Sequence, residues 1–87
     1  MNRKKILLLD DDEEIRQMLN DGLSFLPGIE ILEAGSGITG SALVIQEKID
    51  LLITDLLMPD QDGIDTILEI KKTRPRIKII AISGHHD

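Results

Sequence analysis

No cysteine, tryptophan or tyrosine occurs in these 87 residues, and Phe25 is the only aromatic. Without cysteine a disulfide framework is excluded, which suits a reducing cytoplasm. Without rings to fill it, the core must be aliphatic, drawn from the 41% of residues that are hydrophobic. Long apolar runs are also missing, so no membrane-spanning segment is expected. The basic start Asn2-Arg3-Lys4-Lys5 leads only into Ile6-Leu7-Leu8-Leu9 before the acidic residues Asp10 to Glu14, which is too short for a signal-peptide core. Positive charge is the minority: 10 Lys and Arg against 16 Asp and Glu leave a net charge of −6. That balance argues against sequence-independent nucleic-acid binding by this domain. The length fits one small domain, with no internal repeat, linker or low-complexity segment.

What is present is a regular alternation. The apolar run from Lys5 to Leu9 reads as a strand buried on both faces. Glu13 to Leu26 carries helical spacing through Ile15, Met18, Leu19, Leu23 and Leu26, with Asp12 as cap and Pro27-Gly28 as stop. Arg16, on that helix, reads as a solvated surface residue. Ile29 to Ala34 is a second strand, Ile38 to Lys48 a second helix and Ile49 to Thr54 a third strand. Asp55 to Gly63 reads as a loop, given its proline, glycine and aspartates. The third helix, Ile64 to Thr73, should turn Ile64, Ile67 and Leu68 inward, leaving Lys71-Lys72 as a solvated end. Ile77 to Ile82 is a fourth strand. Such a β-α-β-α-β-α-β pattern with short connections specifies a doubly wound parallel α/β sheet.

In such a sheet the ligand crevice lies outside the carboxyl ends of the strands. Two of the strands deliver carboxylates there. Ile6-Leu7-Leu8-Leu9 runs into Asp10-Asp11-Asp12, and Leu51-Leu52-Ile53-Thr54 runs into Asp55 ahead of Pro59. If the two strands are neighbours, several negative charges share one crevice and need a hard cation, for which oxygen-only ligands favour magnesium. The pattern points to magnesium-assisted phosphoryl chemistry. The plainer readings are a turn-capping carboxylate for Asp55 and a charged helix start for Asp10 and Asp11. His85 and His86 suggest a metal pair, but at a terminus they read more simply as unstructured or appended residues.

Taken together, Ile6 to Asp12 with Ile15-Arg16, then Asp55-Leu56-Leu57-Met58-Pro59 with Asp62-Gly63, then Ile79-Ile80-Ala81-Ile82-Ser83-Gly84 resemble the receiver domain of two-component response regulators. The resemblance covers the whole chain. It implies a flavodoxin-like fold with strand order 2-1-3-4, an order that comes from the family and not from the spacing of residues. It implies that Asp55 is the phosphoacceptor. Asp10, Asp11 and Asp55, with the backbone carbonyl of Leu57, would be the ligands of Mg2+ or Mn2+. Ser83 would hydrogen-bond a phosphoryl oxygen, and Gly84 beside it would keep access open. The implied partner is a sensor histidine kinase or phosphotransfer protein in the cytoplasm. The domain itself would not be an enzyme beyond its own phosphorylation and dephosphorylation.

Against the family pattern, the expectation for residues 1–87 is a receiver incomplete at its C-terminus, with no output domain present. The family's final helix-strand-helix, with its aromatic switch and phosphoryl-contacting lysine, has no counterpart here, and Lys78 lies on the wrong side of Ser83 to replace that lysine. Slow phosphorylation is the corresponding expectation. A homodimer or larger species is expected too, formed through the exposed fourth strand, in which Lys78 is the one interior charge. Two other readings stand beside this one. A receiver remnant could bind a partner without accepting phosphate. A haloacid-dehalogenase-type phosphatase could use Asp10 and Asp12, although Glu14 stands where its motif needs Thr or Val.

Overall fold

The computed structural model describes residues 3–58 and 61–82. Its first two strands are Lys4–Leu9 (β1) and Ile29–Ala34 (β2), separated by the helix Glu13–Leu23 (α1). The helix Gly37–Gln46 (α2) leads to the strand Leu51–Asp55 (β3). Two-residue strands Leu57–Met58 (β4) and Gln61–Asp62 (β5) pair antiparallel, so the expected loop carries a small ribbon of its own. The helix Gly63–Thr73 (α3) and the strand Lys78–Ile82 (β6) follow.

The main sheet is parallel in the order β2-β1-β3-β6, which is the expected 2-1-3-4. β1, apolar from Ile6 to Leu9, takes an interior place in it. Leu7, Leu8 and Leu9 are each at most 1% exposed, because strands on both sides and helices over both faces cover them. Leu7, Leu9, Leu52, Val44, Ile49 and Ile70 form one aliphatic core between the sheet and helices α2 and α3. An ion pair between Lys5 Nζ and Glu47 Oε1, 3.1 Å apart, joins β1 to the end of α2.

Two helices depart from the faces expected of them. In α1, Ile15, Leu19 and Leu23 are half-buried, but Met18 is 61% exposed and the helix ends at Leu23, three residues before Leu26. In α3 the inward residues are Gly63, Thr66 and Ile70, with Ile67 half-buried. Ile64 and Leu68 face outward, at 58% and 55% exposure. The sequence offers two similar stripes at helical spacing on α3, and the close seating of Gly63 against Leu56 selects between them. Lys71 and Lys72 are exposed in the last turn of α3, as expected, and Lys71 also makes a contact that its spacing does not show. Its Nζ donates to the carbonyl of Ile77 at 2.8 Å, tying the last turn of α3 to the approach to β6.

Candidate functional site

Parallel pairing of β1 with β3 sets Leu9 beside Thr54. The next residue on each chain, Asp10 and Asp55, therefore emerges at the same edge of the sheet. Both are buried, at 5% and 2% exposure, while Asp11 is exposed. One carboxylate oxygen from each of Asp10, Asp11 and Asp55 can be chosen so that all three lie within 4.8 Å of one another. The crevice at the strand ends thus contains the three carboxylates that the sequence suggested.

Local hydrogen bonds aim these groups. Asp10 donates its backbone N–H to Ala34 at 3.1 Å, extending the β1–β2 pairing by one residue, and its Oδ1 accepts from the Asp12 N–H at 2.9 Å. Asp12 turns its own carboxylate the other way and caps α1, accepting from the N–H groups of Glu14 and Ile15 at 2.9 and 3.4 Å. That division of labour between adjacent aspartates matches the sequence reading. Asp55 Oδ1 accepts from the Leu57 N–H at 2.9 Å. Leu57 therefore does stand beside the site, with its backbone N–H bound to Asp55 and its side chain 58% exposed. Such an exposed side chain leaves the residue type at this position loosely constrained. Ser83, Gly84, His85 and His86 lie outside the described residues, as does Pro59.

The chemistry of the donor set suits a hard divalent cation. Three carboxylates at this spacing repel one another in the absence of a counter-charge, and carboxylate oxygens are the preferred partners of magnesium and manganese. Arg16 is the residue that sequence reasoning missed. Far from being solvated, it reaches back from α1, donating from Nη1 to the Asp10 carbonyl at 2.6 Å and from Nε to Glu33 Oε1 at 3.0 Å. Its position, six residues after Asp10 and four after the cap, is visible in the sequence; its direction is not.

Residues 6–87 match the family model of the response regulator receiver domain. The chain is 41% identical over 86 residues to the DNA-binding transcriptional regulator NtrC of Azospirillum brasilense, covering 99% of this chain and 18% of that protein. It is 34% identical over 84 residues to the probable C4-dicarboxylate response regulator DctR of Bacillus subtilis, covering 95% of this chain and 37% of that one. The chain therefore spans well under half the length of these relatives. Among solved structures, the CheY-like response regulator receiver domain protein of Methanospirillum hungatei superposes with a TM-score of 0.89 at 30% identity, over 99% of this chain and 68% of that one. A receiver domain protein of Clostridium thermocellum gives 0.85 at 37% identity, over 94% and 66%.

Proposed function

The chain belongs to the response regulator receiver family, and from that premise we propose that Asp55 accepts a phosphoryl group from a sensor histidine kinase or phosphotransfer protein. The observation that carries this reading is the convergence of Asp10, Asp11 and Asp55 at the ends of adjacent parallel strands. A haloacid-dehalogenase-type phosphatase is set aside by the family membership.

An Asp55 carboxylate oxygen attacks phosphorus in line with the departing group. A new carboxyl O–P bond forms as the P–N bond to a donor imidazole, or the P–O bond of an acyl phosphate, breaks. The electron pair of the broken bond stays with the donor: an imidazole nitrogen takes up a proton from water, whereas an acyl phosphate leaves as its carboxylate anion. Asp55 needs no general base, because a carboxylate is already the nucleophile. Its bond from the Leu57 N–H holds one oxygen and so orients the other. Asp10, Asp11 and Asp55, with the Leu57 carbonyl, would hold Mg2+ or Mn2+, which when bound neutralises negative charge on the phosphoryl oxygens. Ser83 is the proposed hydrogen-bond donor to one of those oxygens. The domain is a cytoplasmic phosphoacceptor, not an enzyme acting on a separate substrate. Among the described residues no helix is long and apolar enough to cross a membrane.

Incubation with a small acyl-phosphate donor and magnesium, followed by intact mass measurement, tests the assignment. One acid-stable, base-labile phosphoryl group localised to Asp55 is expected. A remnant that serves only as an interaction module would gain none, and a phosphatase would consume donor repeatedly without retaining a label. Magnesium titration gives a separate check. Asp11→Asn should weaken binding markedly while leaving the fold intact, since Asp11 is exposed; equal affinity in the two proteins would remove Asp11 from the ligand set.

Self-association through β6 belongs to the same reading of partners. Among the described residues β6 pairs with β3 on one side, and Ile80 is 51% exposed. An apolar edge of this kind offers backbone groups to a second copy, which a two-fold axis would place antiparallel. Sedimentation at micromolar concentration should show a dimer or larger species; a stable monomer would contradict it.

A further inference from the structure

We propose that Arg16 is a positioning residue of the acidic site, holding the Asp10 peptide so that its carboxylate faces Asp11 and Asp55. The proposal rests on reading those three carboxylates as a cation site.

Asp10 comes one residue after β1 ends, where strand pairing no longer constrains the chain on every side. Its N–H is taken by Ala34 and its Oδ1 by the Asp12 N–H. The third anchor is the carbonyl, which receives Arg16 Nη1 at 2.6 Å. A charge-assisted bond of that length strongly favours a single orientation of the peptide plane. With all three points held, the carboxylate has little freedom to swing away from Asp55.

The placement of Arg16 is otherwise unfavourable. A cation near the start of a helix opposes the helix dipole. Its positive charge near three cation-binding carboxylates also works against metal affinity. The surroundings offset that charge without releasing the side chain. Glu33 on β2 accepts from Arg16 Nε at 3.0 Å, and Asn20 Nδ2 donates to the other Glu33 oxygen at 2.9 Å. The Arg16 side chain is 16% exposed, so this pair is held against the protein and not dangling in solvent. Gly35 completes the arrangement: a Cβ there would lie 3.3 Å from Arg16 Nη1, tighter than ordinary contact. Gly35 does not occupy the left-handed region, so crowding of the guanidinium is the cost of a side chain at this position.

The sign of one measurement separates positioning from simple electrostatics. If Arg16 acted only as a nearby charge, Arg16→Ala would tighten cation binding. As a positioning residue, its removal should weaken Mn2+ binding by about tenfold, the lower end of what is lost when groups supporting a metal's ligands are removed. Free Mn2+ is counted by electron paramagnetic resonance during titration of the full 87-residue chain. Arg16→Lys keeps the charge without the fork and should weaken binding as well. Gly35→Ala should give a smaller loss that disappears in the Arg16→Ala background. Hydrogen exchange supplies a metal-independent reading: the Asp12 amide, bound to Asp10 Oδ1, should lose protection in Arg16→Ala and Arg16→Lys. If Arg16→Ala fails to fold, Arg16→Lys and Gly35→Ala decide the matter by the same readings. Unchanged or tighter Mn2+ affinity, or an equally protected Asp12 amide in the folded variants, overturns the proposal. Failure of the wild-type chain to bind Mn2+ instead refutes the cation-site reading, and the proposal falls with it.

Discussion

Asp55→Asn is expected to abolish phosphoryl labelling completely while leaving the protein folded. An amide in place of the carboxylate retains an oxygen that can accept from the Leu57 N–H, so the local geometry at the end of β3 survives. It removes the nucleophile, since an amide oxygen is too weakly basic to displace the donor. It also removes one of three negative charges gathered within 4.8 Å. Relief of that repulsion should raise stability by on the order of 1 kcal/mol in metal-free buffer. Saturating Mg2+ should narrow or reverse the difference, because the cation stabilises the wild-type site by binding only the folded state. Intact mass after donor treatment and thermal unfolding with and without Mg2+ check both halves. A label retained at full stoichiometry in Asp55→Asn would place the acceptor elsewhere.

Gly63→Ala is the second large effect, and it acts through the backbone. A Cβ at Gly63 would lie 2.5 Å from the Leu56 carbonyl oxygen and 2.7 Å from Leu56 Cα. These are main-chain atoms, so a rotamer change cannot relieve the clash. Either α3 must retreat or Leu56 must move. Moving Leu56 strains its N–H bond to the Ile82 carbonyl at 3.0 Å and the adjoining bond from Leu57 to Asp55. Overpacking of this kind costs about 1–3 kcal/mol, and the displaced loop should slow phosphorylation of Asp55 as well. Gly22→Ala is the contrasting control. No atom lies within 4 Å of a Cβ at Gly22, which sits inside α1, so alanine there should stabilise by roughly 0.5–1 kcal/mol. Urea unfolding followed by circular dichroism should rank the three proteins Gly22→Ala, wild type, Gly63→Ala; comparable stability of Gly63→Ala and wild type would show that the turn is not tightly seated.

Much of the molecule is legible from composition and order alone. Two apolar runs, each ending in aspartate, place their carboxylates at one edge of the sheet once the strands are parallel neighbours, because parallel pairing brings like ends together. Asp12 is identifiable as the helix cap, and the family resemblance implies Asp10 and Asp11 as the acidic pair in the crevice. The strand order comes from the family resemblance, since periodicity marks a buried strand without saying which strand lies beside it.

Tertiary structure decided the rest. Arg16 has the spacing of a surface helix residue, and only the proximity of the Asp10 carbonyl, Glu33 and Gly35 turns it into a half-buried clamp. Lys71 is the exposed, dipole-favoured helix end that its spacing suggests, and only the structure shows that it also donates to the carbonyl of Ile77. On α3 the apolar stripe of Ile64, Ile67 and Leu68 competes with Gly63, Thr66 and Ile70 at much the same period. The choice depends on how closely the helix start can approach Leu56. Side-chain spacing along one element is a local property and can be read from the sequence. Whether a long polar side chain finds a carbonyl, or which of two stripes meets the sheet, depends on atoms distant in sequence and is settled only by packing.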